Sequence, residues 1–541
     1  MGLPKSSDES IYDIMKYIED GDYRVPRFQR DFVWDVKKSA ELIDSIFRGF
    51  PIGSVIIWNT KTALSEIRDF GGIKIPGKKK GRYTSYIIDG QQRLTSIYFA
   101  MRGLKTGNGQ DFSKICVCLT AKGDEQIVYS EIPKDADEKD FILLKDLYSR
   151  EHLNGHLSNR KLYYDKIMNQ YNVSVIEIDD ESLGMEQVVE IFERLNLGGK
   201  KLSMFSIIAA RSYDEKSGFD LTRKYEELNN KLVDSNYGKI NDAVFLQIIS
   251  ACLIGRVKKA DILKKLKDSD IRDSYDKIEK ALLEAIDHLK GEKYGVSVSA
   301  LLPYERLLVP FTYFHYKQGS RQITKTKESY LLDFFWRCVI TKRYGGSADT
   351  NTEADLTKIQ LILKGDKPSQ ESIVLSPQSI VEEGRFVLTS GFAVGMLCLM
   401  AQAHPKSFAE GRTIDITNEA VSNSSKKQYH HFFPKQSPVI LKTKEYKAYV
   451  NNVVNIIFMD AVTNTQISNK NPSKYIREFS KKSPRLSNKL KSHYISRNGY
   501  GIDENDYFAF LNARSKAMYQ KLRTYIIPNR RDVINGDLPF V

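Results

Sequence analysis

The sequence Tyr-His-His-Phe-Phe-Pro-Lys occupies residues 429–435, and the interpretation of the rest of the chain depends on it. It contains two of the chain's eight histidines, side by side, followed by two aromatic residues and a proline. A buried imidazole must find hydrogen-bond partners, so a histidine pair in apolar surroundings needs a reason. On a β-strand, neighbouring side chains lie on opposite faces, so the two rings can serve different tasks. Two interpretations follow: a metal ligand beside a general base, or a structural pair whose hydrogen bonds are satisfied.

Two downstream blocks favour the first interpretation. Asn-Val-Val-Asn-Ile-Ile-Phe-Met spans residues 452–459, and Thr-Asn-Thr-Gln-Ile-Ser-Asn-Lys-Asn-Pro spans residues 463–472. Together with the histidine pair, these blocks resemble the His-Me finger (ββα-metal, HNH-type) nuclease domain. In particular, they resemble the C-terminal domain of the GmrSD-type modification-dependent restriction enzymes. The resemblance covers residues 425–480.

This resemblance implies roles for four residues. His431 is the general base that activates water to attack a phosphodiester, and Asn455 holds the His431 ring through its other nitrogen. His430 is a metal ligand, and Asn464 completes the metal site from the following helix. A neutral histidine can accept a proton at pH 7, and a divalent ion, Mg²⁺ or Mn²⁺, can stabilise the leaving oxygen. Many such domains close the metal site with histidine or aspartate, whereas this sequence offers asparagines, so the second metal ligand is left open.

The charge distribution points to the same end of the chain. The 541-residue chain carries a formal net charge of +14. Residues 401–541 hold 23 Lys and Arg against 11 Asp and Glu, a net charge of +12, so the first 400 residues are nearly neutral. Such a basic segment is typical of a polyanion-binding domain, and a solvated lysine-rich surface is the alternative. We expect the strongly basic segment 474–497 to follow the DNA backbone.

A second candidate site lies in the N-terminal half, where a predicted strand runs into Asp89-Gly90-Gln91-Gln92-Arg93. A strand, a glycine turn and a helix start together form an anion site from free backbone N–H groups. Gly90 lets a phosphate approach the backbone, and Asp89 can hold Mg²⁺. Arg93 can neutralise phosphate oxygens, and Gln91 or Gln92 can orient a water. The alternative is an ordinary helix start, with Asp89 as the N-cap residue and Arg93 on the surface.

Four blocks, in order over residues 23–211, resemble the DGQQR-motif domain that forms the N-terminal half of the same GmrSD-type enzymes. They are Pro-x-Phe-Gln-Arg-x-Phe-Val-Trp, Pro-Ile-Gly-Ser, Asp-Gly-Gln-Gln-Arg-Leu-Thr and Phe-Glu-Arg-Leu-Asn-x-Gly-Gly-x-x-Leu-Ser. That domain is similar to the ParB/sulfiredoxin fold. The resemblance implies that it hydrolyses a nucleoside triphosphate, GTP or ATP, at the strand–turn–helix, and that it reads modified DNA. Arg27, Gln29 and Arg30 would line the nucleotide site, and residues 192–199 would supply a loop facing it or a glycine-rich helix end.

The fold class that follows is an α+β multidomain chain. A ParB/sulfiredoxin-like α/β domain is predicted over 1–202, a helical coupling domain over 203–402 and a ββα-metal nuclease domain over 403–541. The helical middle is predicted because apolar residues recur there at spacings of three and four.

Smaller features complete the prediction. Glycine, serine, aspartate and proline predict loops over 346–352 and 365–373, and a last helix is predicted over 504–523. The five cysteines form no Cys-x-x-Cys pair, which is typical of reduced thiols in a cytoplasmic protein. No apolar run reaches transmembrane length, so no membrane partner is expected.

The resemblance implies a nucleotide-regulated, metal-dependent DNA endonuclease of bacterial anti-phage defence, with an associated NTPase activity. Its partners would be double-stranded DNA, above all modified phage DNA, and a nucleoside triphosphate, with a homodimer left open. Two alternatives stand beside this interpretation. One is a phosphorothioate-sensing nickase that restricts unmodified phage DNA, and the other is a non-cleaving ParB-like nucleotide-gated DNA-binding adaptor.

Overall fold

The chain folds into two compact units, Met1–Thr222 and Arg223–Val541, of mixed α and β structure. The computed structural model describes residues 4–26, 32–61, 69–70, 73–74, 84–106, 109–122, 124–149, 167, 169–179, 187, 190–191, 194, 203–422, 428–483 and 485–540.

The N-terminal unit is built on a mixed sheet of five strands in the order β1-β10-β3-β6-β2, and a second sheet has the order β8-β7-β9. Its described strands are β1 (Lys5–Ser10), β2 (Tyr23–Arg24), β3 (Val55–Thr60), β4 (Asp69–Phe70), β5 (Ile73–Lys74), β6 (Thr84–Asp89), β7 (Cys116–Cys118), β8 (Val128–Tyr129), β9 (Phe141–Leu143) and β10 (Asn172–Asp179). The helices that can be given full bounds are α1 (Ile11–Glu19), α2 (Val36–Phe47), α3 (Gln91–Arg102), α4 (Leu144–Ser149) and α5 (Met204–Ser212).

Local sequence signals explain most of these elements. Apolar residues at helical spacing predict a helix over 36–48, which is α2. The apolar runs at 54–58, 83–88 and 173–178 predict strands, and these are β3, β6 and β10. The apolar spacing of Ile11, Ile14, Met15 and Ile18 predicts a helix over 8–19. It begins only at Ile11, because Ser10 accepts a hydrogen bond from the backbone N–H of Asp13 and acts as its N-cap. The residues before Ile11 pair with β10 as an edge strand.

The C-terminal unit is largely helical. Its helices are α6 (Leu221–Asp234), which starts at the unit boundary, α7 (Asp242–Ile254), α8 (Lys259–Lys265), α9 (Asp268–Lys290), α10 (Leu308–Gln318), α11 (Lys325–Ile340), α12 (Ala348–Lys364), α13 (Pro377–Glu382), α14 (Gly391–Ala401), α15 (Asn418–Val421), α16 (Pro438–Lys442), α17 (Lys444–Tyr449), α18 (Ala461–Ile467), α19 (Pro472–Lys482), α20 (Leu486–Lys491) and α21 (Tyr507–Arg523). Its strands are β11 (Val374–Leu375), β12 (Tyr429–His431), β13 (Ile456–Phe458) and β14 (Val533–Ile534).

Most of residues 204–401 form helices, as their apolar spacing predicts, but the loop predicted over 346–352 is wrong from residue 348 onward, where α12 begins. The polar residues that suggested a loop have partners inside the fold. Asp349 pairs with Arg306 and accepts from the Gln247 Nε2 at 3.0 Å. Tertiary contacts therefore override the local signal at this position.

Arg337 ties α11 to the C-terminal segment of the chain. Its Nε donates to Asp333 at 2.9 Å, and its two terminal nitrogens form a bidentate pair with Asp532 at 2.9 and 2.7 Å. The remaining N–H groups donate to the carbonyls of Glu371 and Ile527 at 2.7 and 2.8 Å. All five donors of a guanidinium that is only 1% exposed are thus used.

The most apolar helix is α14, all of whose residues are buried in the C-terminal unit. Within the part of the chain that the structure describes, no helix combines the length and the apolar character that a bilayer crossing requires.

Candidate active site

The histidine pair lies on a β-hairpin that is followed by a helix. β12 and β13 are antiparallel, with His430 opposite Ile457 and His431 opposite Ile456. The apolar residues of β13 are all buried, which fixes the strand against the core of the unit. Asp460 then caps α18 by accepting from the backbone N–H of Thr463 at 2.9 Å. The order strand, strand, helix is the one that the sequence predicted for this segment.

His431 is a half-buried, neutral imidazole whose orientation is set by Asn451. Its Nε2 lies 3.3 Å from the Asn451 Oδ1, and the Asn451 Nδ2 donates to the carbonyl of Phe386 at 3.0 Å. An amide oxygen only accepts, so the network assigns the proton to Nε2 and the lone pair to Nδ1. Burial, and then the nearby ammonium of Lys435, lower the pKa of His431 to about 4. At pH 7 the ring can therefore accept a proton through Nδ1.

Asn455 forms different hydrogen bonds from the one predicted. Its Nδ2 donates to the carbonyls of Phe433 and Val450 at 3.1 and 3.0 Å, and its Oδ1 accepts from the backbone N–H of Phe433 at 2.8 Å. The predicted contact between Asn455 and the His431 ring is thus made by Asn451 instead. Asn455, which is fully buried, fixes the chain that leaves β12.

Arg514 supports the hairpin through hydrogen bonds to backbone carbonyls, a role that was not predicted from the sequence. This fully buried side chain donates to the carbonyls of Val454 and Ile456, on either side of Asn455, and to the carbonyl of His493. Burial lowers the pKa of Arg514 to about 9. Its position on the apolar side of the predicted last helix was the signal that could have revealed it, because a charged residue there needs buried partners.

The predicted metal ligands offer a sparse donor set. His430 is half buried on β12, and Asn464 is exposed in α18. Among the described residues, no group of three or more His, Cys, Asp or Glu side chains is arranged to hold a metal ion. This set does not fit a closed zinc site. A Mg²⁺ ion held by these two residues would need waters and substrate phosphates for its remaining ligands.

The basic segment after the hairpin contributes fewer free cations than its sequence suggests. Lys489 is buried and donates to the carbonyl of Phe408 at 2.7 Å, and Arg497 pairs with Asp503 at 3.1 Å. Within the described residues, the exposed cations of this segment that form no ion pair are Lys474, Arg477, Lys481, Lys482, Arg485 and Lys491.

We expect these cations to make DNA binding strongly salt-dependent. Lys474, Arg477 and Lys481 share one face of α19, because they are three and four residues apart. Replacing all three with alanine in the full-length chain should make the slope of log affinity against log salt less negative by about 2 to 3, if each contacts one phosphate. Fluorescence anisotropy of a labelled duplex between about 50 and 200 mM salt measures this slope.

A matched control removes the same charge elsewhere. Lys264, Lys267 and Lys325 are exposed in the same unit and form no ion pair with another described residue. Their triple alanine variant should keep the wild-type slope. An equal change in both triple variants would mean that α19 is not the DNA surface.

The N-terminal candidate site has the predicted strand–turn–helix geometry. β6 ends at Asp89, Gly90 adopts a φ of +87°, and α3 follows directly. A Cβ on Gly90 would come within 2.9 Å of Val55, so glycine is required both by conformation and by space. Asp89 accepts from Arg93 at 3.1 Å, and no side chain caps α3. The alternative in which Asp89 is the helix cap is therefore wrong.

The two glutamines are buried next to this turn. The Gln92 Oε1 accepts from the backbone N–H of Val33 at 2.9 Å, and its Nε2 donates to Gln91 at 3.1 Å. This contact brings the end of the first predicted block beside the start of α3. Arg27, Gln29 and Arg30 lie outside the described residues, and so does most of the block 192–199.

Two comparisons relate the chain to known proteins. Residues 11–213 match the family described as the GmrSD restriction endonuclease, N-terminal domain. This match supports a relationship to the GmrSD-type restriction enzymes, and with it a nuclease function in defence. The chain is also similar to a protein of Methanocaldococcus jannaschii, "Uncharacterized protein MJ0686". The two are 24% identical over an alignment of 593 positions, which covers 95% of this chain and 98% of that protein.

Proposed function

We propose that this chain is a nucleotide-regulated, metal-dependent DNA endonuclease of anti-phage defence that senses DNA modification. The observation that carries the proposal is the β12–β13 hairpin with α18, which presents His431 as a neutral, oriented imidazole next to His430. The family match of residues 11–213 supports it, because that family is described as a domain of a restriction endonuclease. The net charge of +12 on residues 401–541 supports a polyanionic substrate.

The geometry supports a hydrolytic mechanism. The Nδ1 of His431 takes a proton from a water molecule as that water attacks phosphorus, and the bond from phosphorus to the leaving oxygen breaks. Asn451 keeps the ring oriented through Nε2–H, and Lys435 provides positive charge beside the phosphate. A divalent ion held by His430 and Asn464 would stabilise the charge on the leaving oxygen.

Cleavage should require a divalent cation. Because the donor set consists of a histidine and an amide oxygen, we expect Mg²⁺ or Mn²⁺ to restore activity to chelated enzyme better than Zn²⁺. The measurement is plasmid cleavage after treatment with EDTA, with each ion added back. Undiminished cutting in EDTA would contradict the metal-dependent mechanism.

The N-terminal unit is proposed to bind and hydrolyse GTP or ATP at the start of α3. The uncapped start of α3 offers backbone N–H groups to a phosphate. Arg93 lies in the first turn of the same helix, and its guanidinium donates to the carbonyl of Ile52 at 2.7 Å. Asp89, whose side chain is 58% exposed, is available to a Mg²⁺ ion that accompanies the triphosphate.

Asp89→Ala and Arg93→Ala should abolish triphosphate hydrolysis and also change DNA cleavage. If nucleotide binding shifts the population of a cleavage-competent state, a coupling of about 1–3 kcal/mol changes cleavage some 5- to 150-fold. The measurements are GTP and ATP turnover and plasmid cleavage, after circular dichroism has shown that both variants fold. Asp135→Ala, an exposed site in the same unit, is the control. Normal triphosphate turnover in both variants would contradict a nucleotide site at this turn. Lost turnover with unchanged DNA cleavage would show that the two activities are independent.

A panel of differently modified phage genomes, tested with and without GTP or ATP, examines the function as a whole. The proposal expects nucleotide-dependent cutting that differs with the modification. Nicking confined to unmodified phage DNA would indicate the phosphorothioate-sensing alternative. DNA binding without any cleavage would indicate the ParB-like adaptor.

A further inference from the structure

The loop of residues 49–54 connects α2 to β3 and ends beside the start of α3. β3 and β6 are antiparallel, with Ile56 opposite Asp89. The residues that precede β3 therefore lie next to those that follow β6, where α3 begins. The carbonyl of Phe50 accepts from the hydroxyl of Tyr171 at 2.6 Å, which ties the loop to the start of β10. The loop thus forms a wall beside the proposed triphosphate site.

Arg93 reaches from the helix start to this loop. Its Nη1 donates to the carbonyl of Ile52 at 2.7 Å, and its Nη2 donates to Asp89 at 3.1 Å. Each terminal nitrogen of a guanidinium has two N–H groups, so these two bonds leave one N–H on each nitrogen for another acceptor. The two contacts therefore set the direction of the guanidinium and leave it donors for a phosphate oxygen.

Gly53 leaves the space in which this guanidinium lies. Its φ is +83°, and a Cβ built on it would overlap the Nη1 of Arg93. The obstructing atom is the end of a flexible side chain, so a methyl group at this position would displace Arg93 and would not force the backbone apart. At Gly90 the nearest atom belongs instead to Val55, which is held in β3, so that glycine serves the packing of the strand and the helix.

We propose that Gly53 is a positioning residue for triphosphate hydrolysis, because it keeps the Nη1 of Arg93 on the carbonyl of Ile52 and so aims the remaining N–H groups at the phosphate. The inference rests on the proposed hydrolysis of GTP or ATP at the start of α3. When the carboxylate of Asp89 turns to a Mg²⁺ ion, the Nη2 of Arg93 loses its acceptor and can donate to a phosphate oxygen. The guanidinium then stays anchored through one nitrogen while the other binds the substrate.

The experiment compares Gly53→Ala with Gly49→Ala in the full-length chain. Gly49 lies in the same loop at a φ of +72°, and a Cβ there would meet no atom of the described residues within 4 Å. Both variants place a Cβ at a positive φ, so the backbone strain is similar and only one of them obstructs Arg93. The measurements are GTP and ATP turnover, the affinity for non-hydrolysable GTP and ATP analogues by calorimetry with Mg²⁺, and the thermal unfolding midpoint by circular dichroism.

Gly53→Ala should lower kcat for triphosphate turnover by about tenfold to a hundredfold, because a displacement of about 1 Å in a positioned group can have an effect of that size. Gly49→Ala should turn over triphosphate at the wild-type rate. The unfolding midpoints of the two variants should agree, because the obstructing arginine can move aside. A Gly53→Ala chain that is unfolded while Gly49→Ala is folded would overturn the inference, since Arg93 would then be part of the packing.

A double-mutant cycle separates the positioning of Arg93 from a general disturbance of the loop. In the chain with Arg93, the change Gly53→Ala should weaken the affinity for the analogue about tenfold. In the Arg93→Ala chain, the same change should leave the affinity where Arg93→Ala alone puts it, because the displaced side chain is absent. An equal loss of affinity in both chains would overturn the inference, since the effect would not depend on Arg93.

The wild-type chain distinguishes failure of this inference from failure of the proposed function. If the wild-type chain neither binds nor hydrolyses GTP or ATP, the proposed nucleotide site is wrong, and the role of Gly53 is wrong with it. If the wild-type chain hydrolyses triphosphate and the two glycine variants have equal rates, whether normal or reduced, the inference about Gly53 alone is wrong. Loss of turnover confined to Gly53→Ala, together with the non-additive affinities, supports it.

Discussion

His431→Ala should lower the rate of DNA cleavage by a factor of about a hundred or more, while triphosphate hydrolysis continues at the wild-type rate. The loss is expected because His431 has the oriented lone pair at Nδ1, and alanine leaves water without a proton acceptor. Plasmid cleavage and phosphate release, measured on the same preparations, test both halves of the expectation. Added imidazole should restore part of the cutting, since it can occupy the space that the side chain leaves.

Two companion variants make the result specific. His404→Ala removes an exposed histidine of the same unit, with a side chain 64% exposed, and should cut normally. Asn451→Ala should reduce cleavage less than His431→Ala, because it removes the orienting bond and keeps the base. Wild-type DNA cleavage by His431→Ala, or no difference between it and His404→Ala, would contradict the assignment of His431 as the general base.

Arg337→Met should destabilise the C-terminal unit by about 3–5 kcal/mol. Methionine keeps an apolar stem like that of arginine but leaves Asp333 and Asp532 without their cation, and both carboxylates are nearly inaccessible, at 3% and 1% side-chain exposure. An uncompensated buried charge is much more costly than the loss of an exposed ion pair.

Trp336 offers a local probe for this measurement. It is buried, stacks on Tyr525 with ring centroids 5.6 Å apart and stands next to Arg337. In a background with Trp34→Phe and Trp58→Phe it is the sole tryptophan of the chain. Its fluorescence then reports the denaturant unfolding of the C-terminal unit without contribution from the N-terminal one.

A neighbouring arginine provides the control. Arg530 is exposed, so Arg530→Met should change stability by no more than about 0.5 kcal/mol. Asp333→Asn combined with Asp532→Asn in the Arg337→Met chain should recover part of the loss, because the buried charges are gone. A loss below about 1 kcal/mol in Arg337→Met would show that the network contributes little to the fold.

The sequence alone predicted most of the elements and their order. The apolar spacing of α2 and the apolar runs of β3 and β6 predicted these elements, because burial of one face is a property of neighbouring residues. The turn at Gly90 was predictable for the same reason, since a strand, a glycine and a helix follow each other without a gap. The strand–strand–helix order of the segment around His430 was implied by its resemblance to the ββα-metal nuclease domain.

Only the tertiary structure decided which side chains meet. Three asparagines lie within five residues at 451–455, and spacing could not tell that Asn451 contacts the His431 ring while Asn455 holds the backbone of Phe433. Arg514 stands more than eighty residues after His431 and reaches the hairpin through the packing of α21. Tertiary packing also decided the buried partners of α12, since the sequence predicted a loop where this helix begins. The physical reason is that periodicity is local, whereas the partner of a buried polar group is chosen by how distant segments pack.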